Sequence, residues 1–341
     1  EIDCMDSAST LRFLIPVALL TGDRIEFKGS VGLSRWPLGP FYDMFDSHNI
    51  GYSGRRGLPL TVWGKLKAGK YELKGNISSQ FITGLMFALP LVEGDSKIVI
   101  TSELESKGYI NLTMDMLKKF GIIVENKCYS EFYIYGRQTY KPSDCSVEGD
   151  YSQAAFWLAA GVLGGNIECC KMNTASLQGD RVIVDIIKEM GGNISVHGDS
   201  IYAKESKIKG TVIDASDCPD LVPALSVLAS CGKDTTRIIN AGRLRLKESD
   251  RLKVMAEELN KIGASVRETE DGLIIEGRDM LNGGIVDSHN DHRVAMSLTV
   301  ASLKCANPIT IMNSGCVKKS YPDFFDDFRK LGGITYGRSM G

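Results

Sequence analysis

An amphipathic stretch ending in an apolar residue and then glycine occurs five times, at Ile50-Gly51, Phe120-Gly121, Met190-Gly191, Ile262-Gly263 and Leu331-Gly332, with spacings of 70, 70, 72 and 69 residues. Glycine in that place supplies the left-handed residue that closes a helix, because it has no Cβ to clash. One such pair is commonplace, but five in step define a repeat and restrict the fold to copies of one unit. The rest of the unit recurs too. A helix rich in Ala and Leu is expected to start near Ser7, Ser78, Tyr151, Asp217 and Asp291. A short strand follows each, at 24–27, 97–101, 166–169, 235–239 and 308–312, and then comes the glycine-capped helix. In the complete copies two further strands close the unit, and 195–197 with 201–203 reads as a hairpin. The pattern is helix-strand-helix-strand-strand. Such units exceed the roughly 20–50 residues of linear solenoids, so small α/β subdomains packed about an axis are expected. Five copies close such an arrangement awkwardly, whereas six make two domains of three. The expectation is a first domain at 1–149 with two visible repeats and its N-terminal repeat missing, a seam at Gly149-Asp150, and a second domain at 150–341 with three repeats.

Of the 341 residues, 43% are apolar and 24% charged, and the net charge is −2. That balance excludes a disordered tail, a coiled coil or a basic nucleic-acid scaffold as the whole answer. No apolar run approaches the roughly 20 residues of a membrane-spanning helix. The longest, 81–92, is interrupted by Thr83, Gly84 and Pro90. Nine cysteines, an odd number without a Cys-x-x-Cys pair, suggest neither a disulfide framework nor a zinc site and fit a reducing cytoplasm. The chain starts at Glu1, without an initiator Met or a targeting segment to read.

The polar starts of the repeat helices hold the side chains that could carry chemistry. Ser78-Ser79-Gln80 sets two hydroxyls beside unpaired backbone N–H groups, either as a simple N-cap or as a seat for phosphate at a helix N-terminus. Ser106-Lys107-Gly108-Tyr109 repeats the theme. In Lys247-Glu248-Ser249-Asp250-Arg251 two cations and two carboxylates crowd a helix start, with Arg243 and Arg245 just before it. Such a run is either a self-paired, solvated cap or the mixture an anion-binding enzyme needs, with cations for phosphate or carboxylate and an acid to move a proton. In Asn290-Asp291-His292-Arg293, the charge of Arg293 opposes the helix macrodipole unless an anion compensates it. His289 and His292 stand three apart, yet with four histidines in all and no His-Glu-x-x-His pattern no metal site is expected. Asp220, after Pro219, reads as a cap when taken alone, and Lys319 in Lys318-Lys319-Ser320-Tyr321-Pro322 as a solvated lysine. The chain has no redox motif, dinucleotide fingerprint or P-loop. Helix starts bearing Ser, Arg, Lys and a few acids would form an anion trap if they converge. The implied ligand is small, multiply anionic and phosphorylated.

These residues resemble the motifs of the 5-enolpyruvylshikimate-3-phosphate (EPSP) synthase family, over essentially the whole chain. Gly75-Asn76-Ile77-Ser78-Ser79-Gln80-Phe81 is similar to the family's shikimate-3-phosphate signature. Leu246-Lys247-Glu248-Ser249-Asp250-Arg251 and Asn290-Asp291-His292-Arg293-Val294-Ala295-Met296 resemble two more of its motifs. The resemblance implies an α/β fold of two domains, each of three βαβαββ-type units, with five of the six visible here. It implies transfer of the enolpyruvyl group of phosphoenolpyruvate to the 5-hydroxyl of shikimate 3-phosphate, with release of phosphate, on the pathway to chorismate and the aromatic amino acids. Carried onto this sequence, Ser78, Ser79, Gln80, Ser106, Asp220 and Lys247 would hold shikimate 3-phosphate, with Tyr109 nearby. Ala8, Arg35, Gln80, Arg251, Arg293 and Lys319 would surround phosphoenolpyruvate. Asp220 would accept a proton and Glu248 donate one. Addition delivers a proton to the methylene carbon while the hydroxyl loses one, and elimination reverses both, so two carboxylates in differently charged surroundings can divide the work. Fixed cations can hold the phosphate and carboxylate of the intermediate throughout. The resemblance implies no metal and no organic cofactor, no nucleic-acid or membrane partner, and a monomer in the cytoplasm.

Three departures from the family pattern stand out. The family's first Lys-Ser…Arg segment is absent from the chain. Its early Arg-Pro reads here as Ser34-Arg35-Trp36-Pro37, so Arg35 would supply the guanidinium one position early. Ala8 stands where the family usually has glycine, and the extra methyl would crowd a close-packed anion site. Tolerance of glyphosate, which overlaps the phosphoenolpyruvate site, is the expected result. Two other readings remain at this point. One is a UDP-N-acetylglucosamine enolpyruvyl transferase, against which stands the lack of a cysteine at 29–37. The other is a non-catalytic receptor for a phosphorylated metabolite, which would gain nothing from the acids Asp220 and Glu248.

Overall fold

The computed structural model describes residues 1–54 and 57–337. One unit, Glu1–Val147 with Leu177–Gly179, holds two copies of a single pattern. The first copy runs β1 (Ile2–Asp3), α1 (Ala8–Ala18), β2 (Ile25–Lys28), α2 (Gly39–His48), β3 (Gly51–Ser53) and β4 (Leu60–Trp63). The second runs β5 (Lys70–Leu73), α3 (Ser79–Ala88), β6 (Ser96–Ile100), α4 (Lys107–Lys119), β7 (Val124–Lys127) and β8 (Glu131–Ile134). In each, the entering strand pairs parallel with the strand after the first helix, and the last strand joins antiparallel. The sheet orders are β1-β2-β4-β3 and β5-β6-β8-β7. A parallel pair needs a crossover, which α1 and α3 provide. These two helices pack together closely. A Cβ on Gly84 of α3 would lie 2.4 Å from the carbonyl oxygen of Arg12 on α1.

The other unit, Glu148–Ser176 with Asp180–Gly341, repeats the pattern three times. Its first copy is α5 (Tyr151–Gly164), β9 (Asn166–Cys169), α6 (Ile183–Glu189), β10 (Asn193–His197) and β11 (Ser200–Lys204). The next is complete, with β12 (Val212–Asp214), α7 (Val222–Ser230), β13 (Thr235–Ile239), α8 (Arg251–Lys261), β14 (Ser265–Glu268) and β15 (Leu273–Glu276). The last has β16 (Gly284–Asp287), α9 (His292–Ala301), β17 (Ile309–Met312) and α10 (Phe324–Lys330). The complete copy has the same order, β12-β13-β15-β14, with β10-β11-β9 and the parallel pair β16-β17 as its partial versions. The helices α5, α7 and α9 are buried on nearly every face and touch one another. A helix that is apolar all round belongs in an interior, and each fully buried Leu, Ile or Phe side chain there contributes about 1.5–3 kcal/mol. The second helix of the complete copy, α8, buries the stripe Leu252, Met255, Ala256 and Leu259 and leaves Lys253 and Glu257 in water.

Four of the five expected cap glycines have left-handed backbone, with φ of +79° at Gly121, +82° at Gly191, +93° at Gly263 and +98° at Gly332. The fifth differs. Asn49, at φ +54°, closes α2, and Gly51 is already in β3. Gly51 is required for another reason, since a Cβ there would lie 2.1 Å from the Trp63 indole. The helix expected near Asp217 also starts later. Pro219–Leu221 forms a 3-10 turn, and α7 begins at Val222 with Pro223 in its first turn, where a missing N–H costs nothing. Among the described residues no helix is long and apolar enough to cross a membrane.

Candidate functional site

In the first unit, Ser78 is extended at φ −167° and ψ 132°, and its Oγ accepts the Gln80 N–H at 3.3 Å. This cap starts α3 and leaves Ser79 and Gln80 on its first turn. The Gln80 amide is held at both ends: Oε1 accepts from Arg12 Nη1 at 2.8 Å, and Nε2 donates to Ser9 Oγ at 3.0 Å. Arg12 Nη1 also lies 3.4 Å from Ser78 Oγ, and Nη2 donates to the Pro37 carbonyl at 2.9 Å. The guanidinium carbon sits 4.6 Å above the Phe81 ring and 5.2 Å from the Trp36 ring. Arg12 is only 2% exposed, its Nε has no partner, and among the described residues no carboxylate pairs with it. Burial alone pulls its pKa down to about 10.

Ala8 is the buried first residue of α1, next to the N-cap Ser7, whose Oγ accepts the Thr10 N–H at 3.1 Å. Ser106 precedes α4 with φ +57° and makes no side-chain cap, so its buried hydroxyl is not spent on the helix. Tyr109 is exposed. Arg35 ends the short turn Leu33–Arg35 and is exposed. The structure therefore gathers Ala8, Ser78, Ser79 and Gln80 at the starts of two packed helices. No hydrogen bond or ion pair among the described residues ties the side chains of Arg35 or Ser106 to that group.

The second unit holds the denser cluster. Asp250 caps α8 through the Lys253 N–H at 3.1 Å, which puts Arg251 on the first turn. Arg251 is 1% exposed. Its Nε donates to Asp291 Oδ2 at 2.8 Å, Nη1 to Asp220 Oδ1 at 2.8 Å, and Nη2 to Glu248 Oε2 at 2.7 Å and Asp291 Oδ1 at 3.3 Å. A guanidinium carries five N–H groups, so one, on Nη1, is left. Burial works against the charge of Arg251, but Asp291, Glu248 and Asp220 outweigh it and raise its pKa. Burial likewise works against an ionised Asp291, yet Arg251 holds that carboxyl down, to about 2. Asp291 also accepts from Ser249 Oγ at 3.0 Å and caps α9 through the Arg293 N–H at 3.0 Å.

Asp220 collects more cations. Lys247 Nζ is 3.5 Å from its Oδ1, and Arg293 Nη2 is 3.6 Å from its Oδ2. Lys319 donates from Nζ to the Asn290 carbonyl at 3.0 Å, in the turn just before α9. Behind Asp220, the buried Asp180 accepts from Ser152 Oγ. Burial first and the charge of Asp220 second push the Asp180 pKa up to about 6. The two histidines diverge. His292 is buried, and desolvation, then Arg293, bring its pKa down to about 4, so it is neutral at pH 7. His289 Nε2 meets Glu258 Oε1 at 2.8 Å. Glu257, Glu258 and His289 present ligand atoms within 4.8 Å of one another, but Lys261 already lies on both Glu258 oxygens, at 2.8 and 3.0 Å.

Sequence reasoning did not single out Arg12, Asp180 or the pivotal part played by Asp291. Arg12 had a signal, a lone charge on the buried face Ala8, Leu11, Arg12, Ile15 of an apolar helix. In the sequence Asp291 marks only the place where a helix starts, and it does cap α9.

Repeated βαβαββ units with cations and acids at their helix starts define the class of enolpyruvyl transferases. A solved structure shares this fold: EPSP synthase from Acinetobacter baumannii matches with a TM-score of 0.78 and 27% identity, over 97% of this chain and 78% of that one. The sequence pattern of the family described as EPSP synthase (3-phosphoshikimate 1-carboxyvinyltransferase) matches residues 1–328. The 3-phosphoshikimate 1-carboxyvinyltransferase of Clostridium novyi (strain NT) is 55% identical over 341 residues, covering 100% of this chain and 78% of the relative. That of Clostridium acetobutylicum is 56% identical over 342 aligned positions, covering 100% and 79%. The chain belongs to the EPSP synthase family. Its activity is the shikimate-pathway transfer of the enolpyruvyl group from phosphoenolpyruvate to shikimate 3-phosphate.

Proposed function

We propose that Arg251 is the pivot of this transfer, holding the two acids that move protons. One observation carries the reading: a single buried guanidinium bonds Asp220 and Glu248 at once, at 2.8 and 2.7 Å. Asp220 accepts the proton of the 5-hydroxyl as its oxygen attacks the enol carbon, and Glu248 gives a proton to the methylene. In the elimination the C–O bond to phosphate breaks, Glu248 takes a proton back from the methyl group, and the proton held by Asp220 goes to the departing phosphate. Arg251, Lys247 and Arg293 all face Asp220, whereas among the described residues Glu248 pairs with Arg251 alone, so the acids stand in the differently charged surroundings that divided roles need. Ser78, Ser79, Gln80, Ser106, Asp220 and Lys247 bind shikimate 3-phosphate. Ala8, Arg35, Gln80, Arg293, Lys319 and the remaining Nη1 N–H of Arg251 bind phosphoenolpyruvate.

The domains divide at Gly149-Asp150, a reading supported by Asp150, which caps α5 through the Ser152 N–H at 2.8 Å. The enzyme works as a monomer in the cytoplasm; nine free cysteines support a reducing compartment. The experiment is phosphate release from phosphoenolpyruvate by the full-length protein, with shikimate 3-phosphate or UDP-N-acetylglucosamine as acceptor. Release with shikimate 3-phosphate alone is expected, and Glu248→Gln should lower kcat by about 10²–10⁴-fold. Full activity in Glu248→Gln would remove that residue from the proton path.

A further inference from the structure

Arg12 is a buried cation with no counter-charge among the described residues. Burying a charge without an opposite partner is strongly unfavourable, and most proteins avoid it by pairing or neutralising the group. Here the guanidinium keeps three neutral oxygens, on Gln80, Ser78 and Pro37, and leaves Nε without a bond. Its pKa, lowered to about 10, still leaves it charged at neutral pH. A standing cost of that kind is understandable where an anion supplies the missing charge.

The geometry also constrains Gln80. Arg12 has only donors to offer, so the amide must turn its oxygen toward the guanidinium. Nε2 then points the other way, with one N–H on Ser9 Oγ and the second left to donate. If the amide flipped, donor would face donor. A lysine could not reproduce this, because a point-charge ammonium lacks the planar fork that reaches Gln80 and Pro37 together.

We infer that Arg12 is a positioning residue for phosphoenolpyruvate binding: it locks the Gln80 amide with its NH₂ toward the substrate and supplies an unneutralised positive charge behind it. This rests on the assignment of Gln80 to phosphoenolpyruvate. The competing account is a structural tie, in which Arg12 merely fastens the Pro37 segment to α1 and α3.

The test uses the full-length enzyme with Arg12→Met, Arg12→Lys, Gln80→Leu and the double variant Arg12→Met/Gln80→Leu. Arg12→Met should raise KM for phosphoenolpyruvate on the order of tenfold, and KM for shikimate 3-phosphate, whose other ligands Ser79, Ser106, Asp220 and Lys247 are untouched, by clearly less. Without ligand its Tm should equal or exceed that of the wild type, since an unpaired buried charge has gone. Stabilisation by inorganic phosphate should shrink. The double variant should be no worse than the poorer single one, because both act through one amide. Arg12→Lys, which keeps the charge without the fork, should also raise KM for phosphoenolpyruvate and serves if the Met variant does not fold. A lower Tm with unchanged KM for phosphoenolpyruvate, or additive effects in the cycle, would overturn the inference in favour of the structural tie. Gln80→Leu with unchanged KM for phosphoenolpyruvate would instead overturn the assignment of Gln80 on which it rests.

Discussion

Glu258 on α8 is fully buried, and replacing it by Gln, which has the same shape without the charge, tests how the site's second unit is held. The carboxylate accepts from Lys261 Nζ at 2.8 and 3.0 Å, from the Asp287 N–H at 2.9 Å and meets His289 Nε2 at 2.8 Å. It thereby fixes the turn that offers the Asn290 carbonyl to Lys319 and Asp291 to Arg251. The Lys261 side chain is 53% exposed, so that ion pair is screened and worth about 0.5–1 kcal/mol. Gln can still accept the Asp287 N–H, but the bond loses its charge assistance, about 1 kcal/mol. Its NH₂ then takes the place of Oε1, which lies 2.8 Å from both Lys261 Nζ and His289 Nε2. Together these give about 2 kcal/mol, or a Tm lower by roughly 4–8 °C for a unit of this size.

The pH dependence has a definite sign. Burial by itself raises the Glu258 pKa, but hydrogen bonds from Lys261, then from the Asp287 N–H and His289, outweigh it and hold the carboxyl below 4.5. Its stabilisation is therefore complete above the unfolded pKa and lost as pH falls through the lower folded one. Urea unfolding of Glu258→Gln and wild type at pH 7 and near pH 3.5 should show a penalty that is largest at pH 7 and shrinks in acid. A variant within about 0.5 kcal/mol of wild type at pH 7, or a penalty that does not change with pH, would refute the reasoning.

Asp180→Asn should stabilise the protein at pH 8 by at most about 3 kcal/mol and leave it nearly unchanged near pH 4. The folded pKa of about 6 lies above the ordinary 3.8, so the native state loses stability as pH rises between the two; equal Tm shifts at both pH values would sink this. Thr113 Oγ1 donates to the Tyr109 carbonyl at 2.8 Å, so in its 2.9 Å contact with Thr83 the donor is Thr83. Thr113→Val should cost about 1–3 kcal/mol by orphaning that buried hydroxyl, Thr83→Val about 1, and the double variant less than their sum in urea unfolding. Ala8→Gly should bind glyphosate more tightly than wild type by removing a methyl from the start of α1, and equal inhibition constants would remove Ala8 from the explanation.

The chain's periodicity revealed more than its local propensities. Strands at 166–169 and 235–239 have the bounds read from the sequence, and Gly121, Gly191, Gly263 and Gly332 take the predicted left-handed backbone. Of the entering strands, β1 and β12, with two and three residues, are too short to show alternation, and β5 and β16, although as long as β9, were not read either. Gly51 was misread because a close approach to Trp63 and a helix cap ask for the same residue. The family motifs pointed to Asp220, Glu248 and Arg251, and the structure joins them by hydrogen bonds. Asp180 and Arg12 escaped because their meaning comes from burial and from partners 25 to 68 residues away, which no local pattern encodes.

The three apolar helices α5, α7 and α9 come from three different copies, yet each packs against the other two as well as against the strands of its own copy. One continuous cluster of buried side chains runs through all three copies. In hydrogen–deuterium exchange the amides of these three helices should therefore open together, with the protection of the whole unit, while the short α10 at its margin exchanges first. A lesion in any one copy would then be felt as faster exchange in all three, at equal cost, however far from the lesion the probe amide lies.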